Sequence, residues 1–285
     1  MLRSTTAALA LAATLAVTAG QPLASRPLAA QQAPAPADTA PRSNDPLFTR
    51  TDAAIFGGFA LATAAAVPLD VRVAQRLQYP YTQENLFLRR TARAVTFAIE
   101  PGGIFVSGTL YALGRLGGNE RMATLGVRTG EALLYALGTT AVIKVVAGRA
   151  RPYVSNDSNP RDFGFGRGLL KEQFRSFPSG HTTTAFALAA AVTSQAAAWC
   201  DGCVWYVAPA MYGGATLAGL ARMYDNKHWA SDVIVGAAIG AFGGLKVVRY
   251  HETHADSRID RWLLSGSVQV GSGGVGGLRV LILPY

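Results

Sequence analysis

Residues 182–200 and 203–221 form two runs of 19 without a charged side chain, parted only by Asp201 and Gly202. Apolar runs of that length, rich in Ala and the first of them opened by Pro, Ser and Gly, are longer than β-strands and require helices. A helix apolar around most of its circumference has to be covered, either by other helices or by lipid. Four further helical patterns, over residues 52–69, 92–113, 129–146 and 230–248, complete a series with no fixed repeat and no alternating strand pattern between its members. We therefore expect an all-α fold, a six-helix bundle with short connections.

The ends of the chain read differently. Residues 1–30 have Arg3 in a short leading region, an apolar stretch over 7–17 and small residues near 19 and 30, the pattern of a secretory signal peptide. Residues 31–50 are a linker rich in Pro and Ala, and 51–250 are the helical domain. The tail, 251–285, contains a Gly- and Ser-rich stretch over 266–277, and segments 267–270 and 278–283 are suited to a short hairpin. A net charge of +9 rests on 26 scattered Lys and Arg residues, with no basic block interleaved with aromatics. That distribution argues against a nucleic-acid partner and fits an anionic substrate or a membrane surface.

Three polar stretches punctuate the helical runs. Lys144 and Arg151, followed by Pro152, are seven residues apart. On a continuous helix that spacing is two turns, roughly 10.5 Å along one face. Phe177-Pro178-Ser179-Gly180-His181 opens the fourth long run, so Ser179 and Gly180 are helix-start residues whose free N–H groups suit an anion. Arg222, His228 and Asp232 precede the last run, with His228 and Asp232 four apart on one helical face. An up-and-down bundle gathers all three stretches at one end.

Together these stretches resemble the signature of the type 2 phosphatidic acid phosphatase and vanadium haloperoxidase superfamily: Lys-x6-Arg-Pro, then Pro-Ser-Gly-His, then Ser-Arg-x5-His-x3-Asp. The resemblance covers about residues 130–250, and Ala221 stands where the pattern usually has Ser before Arg222. It implies a phosphoric ester hydrolase that works through a phosphohistidine, on phosphate monoesters or lipid (pyro)phosphates. Its expected binding groups are Lys144, Arg151, Ser179, Gly180 and Arg222. The implied catalytic groups are His228 as nucleophile, Asp232 holding its Nδ1–H, and His181 as acid and then base.

The chemistry of those residue types agrees. Phosphoryl transfer spreads negative charge over three equatorial oxygens, so catalysis is mostly positioning and charge stabilisation. Two Arg forks, a Lys point charge and neutral donors supply that. No carboxylate or His grouping near the motifs has metal-ligand spacing, so no cofactor and no metal are expected. His251-Glu-Thr-His254 reads as a solvated charged face. Two other readings stand beside the phosphatase: a vanadate-dependent haloperoxidase, and a non-catalytic membrane or scaffold protein of the same fold.

Localisation follows from the leader: exported, periplasmic or on the periplasmic face of the inner membrane. By freedom from charge, runs 182–200 and 203–221 come closest to membrane length. Cys200 and Cys203, the only cysteines, sit in one turn, where export would oxidise them. The bond is expected together with a soluble or peripheral protein released by osmotic shock or carbonate. For substrate choice, the loop over residues 154–177, with Arg161, Phe163, Phe165 and Arg167, is the expected selector.

Overall fold

The computed structural model describes residues 47–99, 102–254, 257–264, 267–273 and 277–283; the leader and most of the linker lie outside the described residues. The first helix, α1, spans Arg50–Ala66 and starts in a capping box, with Thr49 accepting from the Asp52 amide and Asp52 from the Thr49 amide. Pro68 turns the chain through one 3-10 turn into α2 (Asp70–Leu77), followed by α3 (Pro80–Glu84). Next come α4 (Leu86–Ile99) and α5 (Gly102–Leu116). The single helix expected over 92–113 falls on these two described helices, residues 100 and 101 lying outside the described ones.

The longest helix, α6, runs Glu120–Ala147 from an Asn119 cap to Gly148, whose φ of 52° closes it in the left-handed region. A side chain at Gly148 would strike the Gly164 carbonyl, so the turn carrying Arg149 and Arg151 is pressed against the following loop. That loop holds α7 (Arg167–Leu170) and two 3-10 turns. Three long helices follow: α8 (Gly180–Trp199), α9 (Val204–Tyr224) and α10 (Ala230–Thr253). Last are α11 (Arg258–Leu263) and two antiparallel strands, β1 (Ser267–Gly273) and β2 (Gly277–Leu283), with Val270 opposite Val280.

At the centre lies α8, packed on α10, α9 and α6. Its Ala residues 187, 189, 190 and 191 are fully buried. Against it, α10 presents Gly236, Gly240 and Gly244 at four-residue spacing, where a Cβ would collide with the carbonyls of Ser179, Thr183 and Ala187. The helices meet backbone to backbone, which explains why the apolar content is carried by small residues.

Three helical stretches are long and apolar enough to cross a membrane: Arg50–Leu77, Glu120–Ser155 and Ala230–Thr253. Within the fold only 11% and 22% of the first two apolar windows is buried, leaving residues such as Phe56, Leu61, Leu134 and Val142 exposed. The charge-free runs on α8 and α9 are not among the three, since Ala, Gly and Thr are uncharged without being strongly hydrophobic. Cys200 and Cys203 are joined by a disulfide across the α8–α9 turn. His251 departs from its expected solvated face: it is buried, with Nε2 on Glu131 at 2.5 Å and Nδ1 on Asp260 at 2.9 Å, while His254 is exposed.

Candidate active site

One end of the bundle holds a cavity of about 690 Å³, lined by Lys144, Arg151, Gly180, His181, Arg222 and His228 together with residues of α4 and α5. Six of the eight expected site residues therefore share one chamber although the chain brings them from α6, α8, α9 and the turns between. Each is aimed by its neighbours. Lys144 Nζ, in the last turn of α6, donates to the Arg175 carbonyl at 2.6 Å. Arg151 is buried, its amide on the Gln173 carbonyl at 2.9 Å and its Nη2 on Glu172 Oε1 at 2.9 Å. Arg222 Nη1 lies 3.5 Å from Asp225 Oδ2, so an acid three residues on supports it where Ala221 provides no hydroxyl.

His228 is 3% exposed, in the turn before α10. Its Nδ1 meets the Ser176 carbonyl at 2.6 Å. A carbonyl oxygen only accepts, so Nδ1 carries the hydrogen and Nε2 keeps its lone pair. Burial pushes the His228 pKa down to about 3, against the raising effect of Asp232, so the ring is neutral at ordinary pH.

The expected direct Asp232 bond gives way to an indirect arrangement. Asp232 Oδ2 is 3.7 Å from His228 Nδ1, within ion-pair reach but beyond a hydrogen bond. Its carboxylate instead accepts from Ser176 Oγ at 2.5 Å, from the Trp229 amide at 2.9 Å and from Arg149 Nη1. Ser176 therefore connects the two, its hydroxyl on Asp232 and its carbonyl on His228. An acid at the third position of α10 caps that helix start, and this local demand draws it off the imidazole.

Ser179 also differs from expectation. It is fully buried and outside the cavity lining, its Oγ accepting from Thr182 at 2.8 Å and its amide donating to the Asp232 carbonyl at 3.0 Å. It joins the second motif to the third, while Gly180 and His181, at the start of α8, face the chamber. A helix start leaves its first N–H groups unbonded within the helix and favours an anion.

Sequence reasoning missed several residues. Arg149, Ser176 and Asp70 form the buried support, and Glu172 and Arg175 join the cavity wall. None of Arg161, Phe163, Phe165 or Arg167 lines the cavity. Arg167 pairs with Asp162 at 2.6 Å and lies over Phe174, while Phe163 packs on Arg149 and Phe177. Those residues hold the loop together. Glu172 keeps its carboxyl below the usual range because the Arg151 guanidinium faces it. Among the described residues, no group of three or more His, Cys, Asp or Glu side chains is arranged to hold a metal.

Fold and site together define a helical-bundle protein with a cationic, histidine-bearing cavity at one end. Residues 126–256, a little under half of the chain, match the PAP2 superfamily model. A lipid A 1-phosphatase of Porphyromonas gingivalis is 44% identical over 69 residues, 24% of this chain and 15% of the relative's length. Among solved structures, a transmembrane PAP2-type phosphatidylglycerolphosphate phosphatase from Bacillus subtilis superposes with a TM-score of 0.48 at 19% identity, covering 74% of this chain and 99% of that one. The LpxE protein of Aquifex aeolicus gives 0.39 at 22% identity, covering 63% and 93%.

Proposed function

We propose that the protein is a membrane-bound phosphatase that hydrolyses the phosphate ester of a lipid through a phosphohistidine on His228, without a metal. The observation that carries this reading is the buried His228, its Nδ1 on the Ser176 carbonyl, in a chamber that also holds Lys144, Arg151, Arg222 and His181. Nε2 attacks phosphorus in line while the three cations take the equatorial charge. His181 gives its proton to the departing alkoxide, then removes one from the water that frees the phosphate. Asp232 and Ser176 stabilise the positive ring that forms in the first step.

The lipid part of the reading rests on continuity of surfaces. Ile99, Gly103 and Thr184 line both the cationic chamber and a neighbouring apolar cavity of about 300 Å³ between α4, α5, α8 and α9. A chain entering there lies beside the phosphate site. The exposed apolar helices favour bilayer embedding over the peripheral attachment that would allow release by carbonate. The leader implies export, with the site on the periplasmic side.

The test is hydrolysis by the full chain in detergent, on a long-chain lipid phosphate and on p-nitrophenyl phosphate, each with and without chelator and vanadate. Expected are chelator-resistant turnover, inhibition by vanadate and preference for the lipid. Loss of turnover on chelation, restored by a divalent ion, overturns the mechanism; halide oxidation with vanadate and peroxide in place of hydrolysis establishes the oxidative alternative.

A further inference from the structure

We propose that Asp70, on α2 and 56 residues before the start of the family match, is a positioning residue for this reaction: through Arg149 it fixes the place and the net charge of Asp232 behind His228. The inference rests on the phosphatase reading and extends the machinery to a helix that none of the three motifs touches.

The geometry is closed on every side. Asp70 is fully buried, its Oδ1 accepting from the Ser231 amide at 2.9 Å and its Oδ2 from Ser231 Oγ at 2.7 Å and Arg149 Nη2 at 2.8 Å. Arg149 also donates to the Pro160 carbonyl at 2.8 Å, to Ser231 Oγ at 2.8 Å and to Asp232. Its guanidinium is sandwiched by aromatic rings, 5.0 Å from Phe163 and 5.6 Å from Trp229. Asp70 therefore grips both the Arg that holds Asp232 and the backbone of the residue before it. Position along α10 and orientation of its first turn are set together.

Charge supplies the second argument. A lone Arg149 paired with Asp232 would be a balanced pair, with little left to attract a cation. With Asp70 on its other edge, one guanidinium serves two buried carboxylates, and the group carries one net negative charge. That surplus lies within reach of His228, 3.7 Å from Asp232, as the ring turns positive on forming its bond to phosphorus. The cations Lys144, Arg151 and Arg222 line the cavity, which neither Asp70 nor Arg149 reaches, and none of them bonds to Asp70. Loss of Asp70 should then slow the chemical step and leave phosphate binding alone, whereas a purely structural staple would lower stability without that split.

The experiment uses the full chain in detergent as wild type, His228→Ala, Asp70→Asn, Asp70→Glu and Ser231→Ala, measuring thermal midpoint, inhibition by inorganic phosphate and single-turnover labelling of the enzyme. Expected for Asp70→Asn is labelling slowed about 10- to 100-fold, the loss that a misplaced catalytic group brings, with the phosphate inhibition constant within about threefold. Asp70→Glu, which restores the charge, should recover part of the rate. Normal labelling in Asp70→Asn, or parallel loss of labelling and phosphate binding, overturns the proposal. Should Asp70→Asn fail to fold, Ser231→Ala keeps both charges and removes one link; it must slow labelling at unchanged phosphate affinity, and an unchanged rate there overturns it equally. A wild type that never labels while His228→Ala is equally inert overturns the phosphatase reading itself, and is told apart by that control.

Discussion

The two ends of this bundle both bury ions, and they do so to opposite effect. At one end Arg128 grips Asp260 with two nitrogens, and His251 bridges Asp260 and Glu131. Two basic and two acidic groups close on one another and dock α11 on α6 and α10, helped by Tyr111 and Arg115 reaching the carbonyls of Leu263 and Leu264. At the other end Lys144, Arg151, Arg175 and Arg222 surround a cavity with Glu172 as the acid on its wall. A closed set of buried charges fastens elements together; an open set in which cations outnumber acids leaves positive charge available to an anionic ligand.

The comparison can be broken at either end. Replacing His228 with Ala removes the attacking atom and should reduce turnover by about 10³-fold or more, read as loss of phosphoenzyme in rapid-quench labelling. Near-normal turnover would dismiss the assignment. Lys144→Met or Arg151→Leu withdraws one charge from the transition state, with an expected loss of about 10²-fold in kcat; an effect confined to KM would make these groups mere ground-state binders.

At the closed end, Asp260→Asn should leave kcat per folded molecule unchanged and lower the unfolding free energy by about 1–3 kcal/mol, measured by thermal or denaturant unfolding. A selective loss of kcat there would erase the distinction between the ends. Acid provides a milder probe. His228 protonates near 3 when folded and near 6.5 when free, so the unfolded chain binds the extra proton first. The stability tied to its neutrality is whole above 6.5 and falls as pH drops toward 3, by up to about 1.4 kcal/mol per pH unit. Wild type should lose stability over that window more steeply than His228→Ala. The smallest effect is at Glu172, which holds Arg151 from an exposed position: Glu172→Gln should release the guanidinium and lower KM by about five-fold or less, with kcat unaltered.

How far this was legible follows from where each residue gets its partner. The six cavity residues were readable because motif spacing reports chemistry along short stretches. The helices were readable from their apolar runs, although the run expected over 92–113 falls on both α4 and α5. Asp70 was not, since an acid in the first turn of a helix is ordinarily there for the macrodipole; its partners are 79 and 161 residues away. Arg149 sat inside the first motif but between its two named cations, and only the fold shows it turned away from the cavity. Asp232 was found and its task misjudged, because four-residue spacing on a helix says that two side chains share a face and nothing of which third group stands between them.

The glycine stripe on α10 has a consequence for how accurately this site is made. Its first member, Gly236, touches the carbonyl of Ser179, and Ser179 in turn binds the backbone of Asp232. The separation between His181 and His228 is therefore gauged by direct backbone contact, with no side chain between to flex, shorten or choose another rotamer. One methyl group added at Gly236, out of reach of any phosphate, would act as a shim. It would spread acid and nucleophile apart without removing any charged group, and the two half-reactions would feel it as lost alignment.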